Sequence, residues 1–133
     1  MQTMPPDVDA AFQAFPPEVR HRLVDIRAMI SGVAAGDARI GALTETLKWG
    51  EPAYLTEATG SGSTIRLGSP RNRPDRAAIY FICRTTLVDT FRERFGSMFE
   101  YESNRAVLLP VTGDIDRMPL EILLSMALTY HLR

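Results

Sequence analysis

The sequence predicts one α+β domain: a mainly antiparallel sheet of about five strands, packed with N-terminal helices, one middle helix and a C-terminal helix. Three observations point there. Helical spacing of apolar residues is concentrated near the N-terminus and in two later stretches. The strand-like segments cluster between them, without the strict strand–helix alternation that a parallel sheet demands. No repeat, low-complexity run or linker divides the 133 residues, so a single domain over 1–133 is expected.

Residues 1–36 form an N-terminal helical segment. Between Pro5-Pro6 and Pro16-Pro17, Val8, Ala11, Phe12 and Phe15 make a short helical stripe that Asp7 can cap. Val19, Leu23, Ile26, Ile30 and Val33 then recur at steps of three and four, with Pro17 in the first turn and Gly36 past the end. Asp37 is placed to cap a further helix with Ile40, Leu43 and Leu47 inward, stopped by Gly50 and Pro52. Strands follow. Ala53 and Leu55 alternate with Tyr54 and Thr56; "TGSGS" reads as a flexible turn; Ile65 and Leu67 alternate with Arg66. "AAIYFIC" (77–83) is continuously apolar, which suits the sheet centre with both faces covered.

Thr85 or Thr86 can cap the middle helix, whose face is Leu87, Phe91 and Phe95, and Gly96 ends it. Phe99 and Tyr101 alternate with Glu100 and Glu102 before a turn at "SN" and a return through "RAVLLPV". The last helix begins near Pro119 and carries an apolar arc of Leu120, Leu123, Leu124, Ala127, Leu128 and His131, widened by Ile122 and Met126. An arc that wide places the helix centrally or sets one flank against a second subunit, a homodimer contact.

Composition excludes more than it assigns. Fifteen basic and sixteen acidic residues give a formal charge of -1, so nothing draws the chain generally to nucleic acid or to an anionic membrane. Cys83 is the sole cysteine, which rules out an intrachain disulfide and a cysteine-based zinc site. Within its apolar run it reads as a buried, inert thiol suited to a reducing compartment. The N-terminus lacks signal-peptide features, and no apolar stretch reaches membrane-spanning length. A cytoplasmic protein without cofactor is the expectation.

"LTETLKWGEPAY" (43–54) holds the only tryptophan beside the only lysine. It resembles the hallmark of the YdhG-like family, domain of unknown function 1801, whose members carry a helix ending in a Lys-Trp-Gly-x-Pro-x-Tyr segment. Here that maps onto Lys48, Trp49, Gly50, Pro52 and Tyr54. "YFICRTTLVDTFRERFG", "FEYESNRAVLLP" and "MPLEILLSMALTYH" follow in the family's order, so the resemblance spans about 43–131. It implies a small α+β domain, usually intracellular and bacterial, with no settled activity; some members are described as frataxin-like iron chaperones. The "GSGST" and "SPRNRPDR" stretches depart from the family's shorter strand connections.

Trp49 is read first as a packing anchor between a helix and the opening strand. The functional reading makes it an aromatic wall with Lys48, Tyr54 and Arg105 at its rim, for a small anionic ligand. Glu102 completes that candidate set. Glu100 and Glu102 share one strand face. They are read as a solvated hairpin paired with Arg105, or alternatively as weak oxygen ligands for iron. Arg66, Arg71, Arg73, Arg76 and Arg84 make a basic edge read as solvated surface. His21 sits on a charged face, and no nucleophile elbow or phosphate loop is present. The reading reached is a non-enzymatic small-ligand-binding or protein-interaction module, with a frataxin-like iron carrier as the alternative.

Overall fold

A computed structural model of the chain describes residues 3–132. Two helices open it, α1 (Pro6–Gln13) and α2 (Pro17–Ala35), each with a proline at the first helical position, where the missing N–H costs nothing. Four strands follow: β1 (Thr44–Lys48), β2 (Glu51–Leu55), β3 (Ile65–Gly68) and β4 (Arg76–Tyr80). Helix α3 (Leu87–Phe95), the hairpin β5 (Glu100–Glu102) and β6 (Ala106–Pro110), and helix α4 (Arg117–Leu128) complete the chain. The fold is α+β, as expected, with one six-stranded sheet in the order β1-β2-β3-β4-β6-β5, antiparallel at every pairing.

The additional strand is β1. The expected helix after Asp37 does not form, because Asp37 accepts backbone bonds from Ile40 and Gly41 in a tight turn. Gly41 then takes a positive φ of 71° and sends the chain out extended. Leu43 and Leu47 pack on the core, but residues four apart share a face in a strand as well as in a helix. Their spacing therefore fits both periods.

Helical side chains all converge on one sheet face. Phe12, Leu23, Ile26, Ile30, Phe91, Leu120, Leu123 and Leu124 meet Tyr54, Ile65, Leu67, Ile79, Val107 and Leu109 in one core. The opposite face holds a separate small cluster of Ala78, Tyr80, Ala106 and Leu108. Strand β4 lies inside the sheet as expected, but it ends at Tyr80, and its second face is covered by charged side chains rather than by helices. Cys83 lies beyond the strand and is exposed, which corrects the expected burial of its thiol.

Two further expectations change. The "TGSGS" stretch is not a free turn but the cover of the α4 C-terminus. Ser61 is fully buried; its hydroxyl donates to the Leu128 carbonyl at 2.8 Å, and the Ser63 N–H donates to that of Ala127 at 2.9 Å. These contacts satisfy carbonyls that a helix end leaves orphaned. Gly62 is required there, because a Cβ would come within 2.4 Å of the Leu128 carbonyl oxygen. His131 is exposed in a 3-10 turn (Tyr130–Leu132) after α4, not on its inner face. Within α4, Leu120, Leu123, Leu124, Ala127 and Leu128 are buried, leaving Met118 and Ile122 exposed.

One polar cluster joins α2 to the first two strands. Arg27 forks onto Glu45, donating at 2.6 and 2.8 Å, and the Tyr54 hydroxyl donates to the same carboxylate at 2.8 Å. The Arg27 and Glu45 side chains are only 11% and 5% exposed. Burial pushes the Glu45 carboxyl up, but Arg27 and the Tyr54 hydroxyl together hold it below its ordinary value. Breaking a buried pair strands a charge. Glu45→Ala is expected to lower unfolding free energy by about 3 kcal/mol, read from urea denaturation.

Candidate functional site

The bare sheet face is built by register. Thr46, Ala53, Arg66, Tyr80, Ala106 and Glu102 are successive cross-strand partners and form one row across all six strands. The Tyr80 ring lies between two cations: the guanidinium carbons of Arg66 and Arg105 stand 5.5 and 5.1 Å from its centroid. That geometry is within cation–π reach. Burial raises the Tyr80 hydroxyl pKa, and the Glu51 and Glu102 carboxylates push it further the same way. Tyr80 therefore stays neutral and serves as a flat support.

Arg66 donates to Glu51 at 2.7 Å with both side chains about a quarter exposed. Burial lifts the Glu51 carboxyl above its ordinary range, against the lowering effect of Arg66 and Arg105. Gly68 makes room for this arrangement. A Cβ there would meet the Glu51 carboxylate at 2.5 Å and the Tyr80 ring at 2.9 Å. Arg105 reaches Glu102 only at 3.6 Å, both side chains being half-exposed, a contact of little energy.

Alongside runs a groove of about 610 Å³, within the range of small-molecule sites. Its charged lining is Lys48, Arg66, Arg84 and Arg105, with no acidic side chain among the lining residues. Leu55 and Ile82 supply apolar wall, and Trp49, Thr64 and Cys83 complete it beside Phe81, whose ring is turned into the core against Phe91. Lys48 and Arg84 form no ion pair among the described residues. Lys48 lies opposite Glu51 at the hairpin tip, and Leu55 closes the other end of β2, so the groove extends over roughly 13 Å of strand.

Trp49 does not wedge a helix against the sheet. It occupies the two-residue turn between β1 and β2 and is 89% exposed. Its φ is 56° and that of Gly50 is 77°, the positive pair that a type I′ hairpin turn requires. Glycine adopts this backbone freely, whereas a bulky residue is strained there by about 1–3 kcal/mol. The indole makes no hydrogen bond or ring contact among the described residues.

The structure brings Lys48, Trp49 and Arg105 to one groove and separates the rest of the expected set. Tyr54 is fully buried on the helix side, bound to Glu45. Glu102 lies beside Arg105 without lining the groove. Glu100 is held by Arg73 at 2.6 Å and Arg76 at 2.9 Å, so a cation would have to displace two guanidinium groups from it. Arg66 and Arg84, expected in a solvated edge, line the groove instead, and neither the place of Glu51 nor that of Tyr80 between two arginines is legible in the sequence. The alternation of Ile65, Arg66 and Leu67 showed which face Arg66 takes, but nothing local shows that Arg105 shares it.

No family model and no curated protein matches the chain. Among solved structures it is similar to the crystal structure of a protein from the DUF1801 family, YdhG of Bacillus subtilis. The TM-score is 0.62 at 14% identity, covering 90% of this chain and 87% of that chain. The two chains share the fold. The YdhG-like fold explains why the strands cluster, and no helix among the described residues is long and apolar enough to cross a membrane.

Asparagine followed by glycine is the favoured pair for a type I′ turn. Trp49→Asn is therefore expected to raise the unfolding free energy by about 1 kcal/mol, seen as a higher denaturation midpoint with an unchanged slope.

Proposed function

We propose that the chain is a YdhG-like small-ligand-binding module that takes a small anion in the groove on its bare sheet face. One observation carries this reading: four cationic side chains line a single groove that contains no acidic one, in a chain whose overall charge is -1. Arg66 and Arg105 are oriented by Tyr80 and by the carboxylates beneath and beside them. Guanidinium forks suit carboxylate and phosphate oxygens, and Lys48 adds a point charge. Placement on the helix-free face leaves the groove open without any change in the core.

Calorimetry with sodium sulfate at low ionic strength tests the reading. Saturable binding is expected, weakened several-fold by Lys48→Ala or Arg84→Ala, neither of which breaks an ion pair among the described residues. Absence of saturable heat, or variants that bind as the parent does, would overturn it.

Glu51 supplies a pH signature. Its raised pKa means that acidification neutralises it before an ordinary glutamate, releasing Arg66 to the ligand. Sulfate keeps its charge over this range, so its affinity is expected to rise as the pH falls from neutral through the raised Glu51 range. Glu51→Gln should bind sulfate more tightly at neutral pH and flatten that dependence.

A further inference from the structure

The groove has a second chemical character beside its charge. Trp49 stands 89% exposed at its edge, in a left-handed backbone that glycine or asparagine would hold with less strain. Leu55 and Ile82 give the same groove apolar wall. An exposed indole on a strained turn gains nothing from the fold, since no ring or polar group among the described residues meets it. Its position beside four cations gives it one partner chemistry that uses both features: a flat ring joined to a negative charge.

We infer that the ligand is an aromatic anion, a planar ring bearing a phosphate or carboxylate, with Trp49 as the stacking platform and the arginines on the acid. The inference rests on the anion-binding reading of this groove and names the class of anion. Trp49 on the hairpin and the cations on the neighbouring strands divide the recognition between them. The ring is held by stacking and apolar wall, the acid by the guanidinium groups beside Tyr80. Backbone strain at a binding residue is a recurrent feature of such sites, where geometry is held for a ligand rather than for stability.

The test compares phenyl phosphate with inorganic phosphate, an anion without a ring, and phenol, a ring without a charge. Phenyl phosphate should bind about tenfold more tightly than inorganic phosphate, the scale of one ring-stacking contact, and phenol should bind far more weakly than either. It should also quench the emission of Trp49, the only tryptophan, and slow maleimide labelling of Cys83, the only thiol and an exposed groove residue. In Trp49→Asn the advantage of phenyl phosphate should vanish while inorganic phosphate binds as before; Trp49→Phe should retain most of it.

Equal affinities for the two phosphates would overturn the inference and leave the anion site standing. Failure of both to bind would bring down the anion reading and this inference with it. Loss of inorganic phosphate binding in Trp49→Asn would show that Trp49 shapes the site rather than stacks on a ring, which also overturns it. Unchanged Trp49 emission when phenyl phosphate binds would show that the ring does not reach the indole, which also overturns the inference.

Discussion

A carboxylate held by an arginine fork and a tyrosine hydroxyl ties the first hairpin to the longest helix. Arg27 projects from α2 and Glu45 from β1; Tyr54 reaches the same oxygen from β2. Two ions so nearly dry are tolerated only when each is fully matched, and the fork supplies two parallel bonds that fix orientation as well as charge. The segment around Glu45 is thereby committed to the sheet. With β1 placed as an edge strand, the turn that follows it must project beyond the core. Trp49 is carried out into water as a consequence of where Glu45 is held.

All helical packing lies on one side of the sheet, and that asymmetry makes the other side available. Small residues, Ala53, Gly68, Ala78 and Ala106, fill much of the bare face, and long side chains lie over them. Arginine is suited to this position, because its stem covers apolar surface while its head stays wet. The bare face is sealed by Arg66, Arg105 and Glu51 around Tyr80 instead of by a second layer of helices. The same residues that shield the alanines present a positive groove. Covering the face and lining the groove are therefore served by one set of side chains.

Much of the fold was readable along the chain, and the errors have physical causes. The stripe in α2, the alternation in β3, the hairpin through Ser103 and Asn104, and the middle helix ending at Gly96 follow from local periodicity and turn chemistry. The segment 37–49 was misread because leucines four apart satisfy a helix and a strand alike, and the deciding partner, Arg27, lies well upstream. "GSGS" looked like a flexible turn because glycine and serine favour turns. Its serines are instead used up on helix carbonyls that are remote in sequence. Of the candidate site, the Lys48–Trp49 pair and Arg105 could be picked out by residue type, whereas Tyr54 was indistinguishable from a pocket residue until its oxygen partner was known.

The sequence by itself determined the α+β class, the helical N-terminal segment, the approximate strand count and the near-balance of charge, since each follows from composition or from the spacing of neighbours. Tertiary structure alone decided which face every strand turns to the helices, that Trp49 stands in water, and that Lys48, Arg66, Arg84 and Arg105 line one groove. Register sets those positions, and register is fixed by contacts between segments far apart in the chain. A local pattern can show that arginine and leucine alternate; only the paired strands show what stands beside the arginine.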